Sequence, residues 1–130
     1  MGRTDISNEK DRPGTGESYC STSIGIRTQL LNTEITHAQM TGFMSGFIER
    51  GEIPKETRVW WGRATDRRYG TACYSKREII MNRRCVETFL HELAHFVTYF
   101  KYKDRDGHGP CFGKVLDRLI YMWLHNETTF

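Results

Sequence analysis

Nowhere in this chain do two cysteines stand as C-x-x-C. Cys20, Cys73, Cys85 and Cys111 are too scattered for a zinc ribbon or knuckle. Long apolar runs are missing too. No stretch approaches the roughly 18 apolar residues of a membrane helix, so no membrane partner is expected. The first 23 residues contain no continuous apolar run of the kind a secretory signal carries. We therefore expect a cytoplasmic protein with reduced thiols, its association with a nucleoid or nucleus left open. The cysteines read as small buried hydrophobes.

What is present is enough to fold. The chain has 130 residues, 38% of them hydrophobic, with 3 Trp, 6 Tyr and 7 Phe. That suits one ordinary domain without staples and argues against disorder of the whole chain. No internal repeat or second domain is visible. Residues 1–20 are polar, with Pro13 beside Gly14, and read as a flexible arm. The domain is expected over residues 21–130, entered through a short strand or extended stretch at 22–31.

Net charge is only +3 but unevenly spread. Residues 58–84 hold eight basic side chains, Arg58, Arg63, Arg67, Arg68, Lys76, Arg77, Arg83 and Arg84, against only Asp66 and Glu78. Trp60, Trp61, Tyr69 and Tyr74 are interleaved with them. Arginines can neutralise phosphates and aromatic rings can stack on bases. That nominates Arg63, Arg67, Arg68, Arg83 and Arg84 for nucleic-acid contact and DNA as a partner. The plainer reading is a solvated sheet face whose aromatics form core.

Patterning predicts an α+β domain. A first helix, capped by Asn32 or Thr33, carries Met40, Phe43, Met44, Phe47 and Ile48 at helical spacing and stops at Gly51 before Pro54. Short strands follow at 58–61, 71–75 and 78–82. Short links suggest a three-stranded antiparallel meander. A second helix, 84–100, is apolar around most of its circumference, as a buried helix is. Pro110 opens a third, with Phe112, Val115, Leu116, Leu119, Ile120 and Trp123 along one stripe.

The buried second helix contains His91-Glu-Leu-Ala-His95, an H-E-x-x-H motif. Histidines four apart lie one turn apart on the same face, so both imidazoles can reach one zinc ion. Glu92 then sits where a general base can take a proton from a zinc-activated water. Two satisfied structural histidines would be the bland alternative, but burying such groups unpaired is costly. A catalytic zinc needs a third ligand and one open position. His108, between two glycines in Asp106-Gly-His-Gly-Pro110, is the leading choice, with Asp104, Asp106 and Asp117 in reserve. His37 and His125 read as ordinary histidines. The metzincin spacing fails, because Thr98 and Lys101 stand where Gly and His would be needed. A zinc deaminase fails as well, for want of H-x-E and P-C-x-x-C.

The stretch 58–117 resembles the SprT-like metallopeptidases, the family that includes the Spartan proteases. The resemblance is carried by Gly70-Thr-Ala-Cys73, Ile79-Ile-Met-Asn82, Val86-Glu-Thr-Phe-Leu-His91-Glu-Leu-Ala-His95, Asp106-Gly-His-Gly-Pro110 and Phe112. It implies a minimal zincin fold, one Zn2+ per chain on His91, His95 and His108, and Glu92 as catalytic base. It also implies a protein or peptide substrate, and proteins attached to DNA are what Spartan-like relatives cleave. An extended peptide is expected along the strand at 70–74, where Gly70 and Ala72 leave room. Two other functions compete: a zinc-containing nucleic-acid-binding module without peptidase activity, and a zinc hydrolase of a non-peptide bond.

Overall fold

The computed structural model describes residues 32–64, 67–105 and 107–125. The expectations for 1–20 and 22–31 lie outside them. Within this range run helix α1 (His37–Glu49), strands β1 (Arg58–Trp61), β2 (Gly70–Cys73) and β3 (Glu78–Met81), and helices α2 (Val86–Phe100) and α3 (Pro110–Leu124). The class is α+β, as expected.

Helix α1 begins later than its sequence suggests. Thr36, not Asn32 or Thr33, is the N-cap. Its Oγ1 accepts from Gln39 N at 3.1 Å and its own N–H donates to Gln39 Oε1 at 2.9 Å, a reciprocal capping box. The chain just before it is engaged elsewhere. Ile35 N donates to Arg84 O and Val86 N to Thr33 O, an extended pairing that keeps residues 33–35 out of the helix. The other end matches expectation. Gly51 has φ +74°, its N–H reaches Ile48 O, and Glu52 N reaches Phe47 O. These two bonds make a Schellman motif, which favours glycine at the left-handed position.

The sheet corrects the antiparallel meander. Its order is β1-β3-β2, with β3 central. β2 and β3 form the expected antiparallel hairpin, pairing Gly70 with Met81 and Cys73 with Glu78. β1, however, runs parallel to β3, Val59 beside Ile79 and Trp61 beside Met81. The reason lies in the link between β1 and β2. It leaves and returns at the C-terminal end of β3, held there by Gly62 N to Met81 O at 2.7 Å, Asn82 Nδ2 to Arg63 O at 2.8 Å, and Asn82 and Arg83 N–H to Tyr69 O. The four-residue turn 74–77 favours antiparallel neighbours, whereas the longer link is free to carry the chain past β3. Gly62 fits because nothing larger would: a Cβ there would lie 2.6 Å from Asn82 Nδ2 and 2.7 Å from Ile80 Cγ2.

One face of the sheet presents Val59, Ala72, Ile79 and Met81, all buried. α2 packs against β2 and β3, α1 against β1, and α3 against α2. Phe43 of α1 meets Phe89 of α2 at 6.2 Å and Trp123 of α3 at 5.2 Å, both edge-on. Twelve residues of α2, Val86 and Thr88–Thr98, are buried. The helix is therefore the axle of the core, and it carries the polar groups that need explaining.

Candidate metal centre

α2 places His91 and His95 one turn apart, as their spacing requires, with 6% and 1% of their surface exposed. Their rings meet at 5.1 Å between centroids. Glu92 is fully buried.

His108 arrives from the loop after α2. That loop turns back through Lys103 at φ +57° and Gly107 at φ +66°. Three contacts hold its first half against the helix end: Asp104 N donates to Thr98 O at 3.1 Å, Lys103 Nζ to Phe100 O at 2.8 Å, and the Arg105 guanidinium lies over the Tyr99 ring at 5.4 Å. Its second half is fixed by the start of α3, where Gly109 is N-cap and Pro110 follows in the first turn.

The three histidines converge. His91 Nε2 and His108 Nε2 stand 3.1 Å apart, and one nitrogen from each of His91, His95 and His108 lies within 4.8 Å of the others. Nitrogens about 2 Å from a tetrahedral zinc stand roughly 3.3 Å from one another. The first distance is already near that value. Three imidazoles with no fourth side chain in the group, among the described residues, are a donor set that suits zinc with an open position. Phe112 backs all three rings, at 4.6 Å from His95, 4.9 Å from His108 and 5.1 Å from His91. It restricts their rotation and dries one side of the site.

Among the described residues the reserve carboxylates do not join. Asp104 and Asp117 are outside the histidine group, and Asp106 lies outside the described residues. Asp104 instead bonds Cys111 at the head of α3. Burial pushes that thiol up, and the Asp104 charge and hydrogen bond add to the rise, so the thiol keeps its proton for the carboxylate. His37 and His125 also stand apart. His37 Nε2 bonds Val59 O at 3.1 Å, and His125 stacks on Tyr121.

The basic segment divides into two groups. Arg58 and Arg77 meet at one end of the sheet through Arg58 N to Arg77 O, with Lys76 in the same turn. Arg63, Arg67, Arg68, Arg83 and Arg84 belong to the opposite end, where β3 hands over to α2. Four of the five are exposed, and Arg83 is half-buried. Sequence order hides this division, because residues 20 apart meet only across the β1–β3–β2 pairing. The interleaved aromatics are mostly occupied. Arg83 lies over Tyr69 at 4.7 Å and Arg84 over Trp61 at 4.4 Å. Tyr74 is buried and stacked on Tyr99 at 4.0 Å. Trp60 is the exposed one, at 45%.

A buried helix bearing two histidines and a glutamate, joined by a third histidine from the following loop and laid on a small mixed sheet, defines a domain whose three histidines could hold a metal ion. The SprT-like family model matches residues 28–129, and the chain belongs to that family. No curated protein and no solved structure shows a match to it. Among the described residues no helix is long and apolar enough to cross a membrane.

Proposed function

We propose that the protein is a zinc-dependent endopeptidase. The observation that carries this reading is the convergence of His91, His95 and His108 beside a buried glutamate that is not among them. A purely structural site would have no use for that carboxylate. When bound, zinc supplies Lewis acidity that polarises a carbonyl and brings a water within reach of deprotonation near neutral pH. Glu92 accepts the proton of the attacking water and returns it to the departing amine nitrogen. Phe112 and the apolar faces of α2 exclude competing water. An extended peptide would lie along β2, an outer strand that packs on α2, and add its backbone to the sheet.

The test is metal analysis of the purified protein together with a casein-cleavage assay on Glu92→Gln. This substitution keeps the shape and removes the base. About one zinc per chain and a loss of turnover of about a hundredfold or more, with zinc retained, are expected. Full activity in Glu92→Gln would refute the mechanism. Zinc with no cleavage in the wild type would favour a binding module, and cleavage of an ester or amide substrate alone would favour a non-peptide hydrolase.

DNA-associated proteins are the proposed substrate class. What supports this is the gathering of Arg63, Arg67, Arg68, Arg83 and Arg84 at the end of the sheet from which α2 departs. Cations there would hold phosphate close to the beginning of the site-bearing helix.

A further inference from the structure

β2 begins at Gly70, and its backbone does not call for glycine. Among the described residues, positive φ belongs to Gly51 and Gly107, with Arg77 and Lys103, and Gly70 pairs with Met81 as an ordinary ladder residue. What the position lacks is room. A Cβ at Gly70 would lie 2.9 Å from Glu92 Cγ, 3.0 Å from Glu92 Oε2 and 3.0 Å from Thr88 Cγ2. All three distances are inside ordinary van der Waals contact, which begins at about 3.4 Å. Thr88 and Glu92 are four apart on α2, so they form one ridge of the helix, and the bare Cα of Gly70 is set against it.

Two of the three atoms nearest a Cβ at 70 belong to Glu92, and both the strand and Thr88 are held in place. The strand is held by its ladder to β3 and, one residue earlier, by two N–H groups donating to Tyr69 O at 2.9 and 2.8 Å. Thr88 is held by its hydroxyl, 3.3 Å from Cys85 Sγ. Glu92 is the residue that a Cβ at 70 would meet at two atoms, Cγ and Oε2.

We propose that Gly70 is a positioning residue for Glu92: the missing side chain is the slot in which the carboxylate is seated, and β2 sets that seat. This rests on the reading of Glu92 as the general base. It adds that the base is placed by the same strand along which the peptide is to lie. A proton acceptor has to stand within hydrogen-bond reach of its water, and a displacement of about 1 Å can cost up to a hundredfold in rate.

The new Cβ meets the α2 ridge and not the strand edge where the peptide would pair, so Gly70→Ala should lower kcat by about ten- to a hundredfold while KM stays within about twofold. Zinc content should stay that of the wild type, and the melting temperature should fall by no more than the few degrees that overpacking one buried methyl costs, leaving the protein folded in the assay. Thr88→Ser removes the methyl that the new Cβ would meet but keeps the hydroxyl, and it should restore part of the lost turnover. In a double-variant cycle, Gly70→Ala should add nothing to the loss in Glu92→Gln, since both act on one proton transfer. Independently of turnover, the Glu92 carboxyl-carbon NMR resonance of the zinc-free protein should move in Gly70→Ala.

Unchanged turnover, an unmoved Glu92 resonance, or losses that multiply in the cycle would each overturn the inference. So would a loss of activity that merely follows lost zinc or unfolding in the assay. If Gly70→Ala does not fold, the same measurements on Gly70→Ala/Thr88→Ser decide it by the same criteria. The two readings fail differently: an active Glu92→Gln removes the general base itself, whereas an inactive Glu92→Gln beside an active Gly70→Ala removes only the seat.

Discussion

Arg118 and Glu52 meet across 66 positions through two parallel hydrogen bonds, at 2.9 and 3.0 Å. Glu52 follows α1, and its side chain is 6% exposed. Arg50 donates to it as well, at 2.8 Å, and Lys101 at the end of α2 lies 3.6 Å away. One carboxylate thus ties together the ends of α1 and α2 and the middle of α3. The fork geometry of Arg118 suits this bidentate role, which lysine would not fill.

Acid should loosen this junction. Burial alone would raise the Glu52 carboxyl, but the bonds from Arg118 and Arg50 outweigh it and hold the group at about 2, down from an ordinary 4.5. A depressed folded-state value stabilises the fold above the unfolded-state value. That contribution, on the order of 3 kcal/mol, fades as pH falls from about 4.5 toward 2. Glu52→Gln should therefore melt lower than the wild type at pH 7, and the difference should shrink on approach to pH 2. Thermal melts across that range check it.

Removing His108 should separate metal binding from folding. His108→Ala takes one of three imidazoles from the site and leaves α2 untouched, so zinc affinity should fall about tenfold or more, and activity with it. Chelator competition measures this. The zinc-dependent rise in melting temperature should shrink in parallel. Wild-type zinc affinity in His108→Ala would mean that a side chain outside the histidine group completes the site.

Replacing Arg67, Arg68, Arg83 and Arg84 with Ser should weaken binding to single-stranded DNA and flatten its dependence on salt, by up to about 0.7 in slope for each phosphate no longer neutralised. Titrations at several salt concentrations read this out. Casein cleavage without DNA should persist, because none of the four belongs to the histidine group. Unchanged affinity would leave the arginines as solvated partners of Tyr69 and Trp61.

Two glycines near the end of α1 should respond in opposite directions. Gly51 sits at φ +74° with no atom near its missing Cβ, so Gly51→Ala meets backbone strain alone and should cost about 1 kcal/mol. Gly46 lies inside the helix, where a Cβ would meet only the end of the Arg50 side chain at 3.2 Å. Gly46→Ala should stabilise by roughly 0.5–1 kcal/mol. Urea denaturation of both variants checks the signs.

Local signals were legible wherever a residue's neighbours along the chain decide its structure. The apolar spacing in α2, the Gly51 stop, the Pro110 start and the turn between β2 and β3 all depend on residues a few positions apart. The i, i+4 spacing of His91 and His95 belongs to the same class, since a helix alone makes them neighbours. The family motif around His108 pointed to the third imidazole, though no local rule brings residue 108 to residue 91.

Meetings between distant segments were decided by the tertiary structure. The parallel setting of β1 follows from a link that rounds the end of β3, and strand alternation is the same in either direction. The pairing of residues 33–35 with 84–86 moved the start of α1 to Thr36, because backbone groups used in an extended bridge cannot also begin a helix. Division of the arginines into two groups, seating of Glu92 against Gly70 and closure of Arg118 on Glu52 each depend on segments far apart in sequence. Composition and spacing determined which chemistry the chain carries. Packing determined which groups face one another, because that distance is set by the core between them.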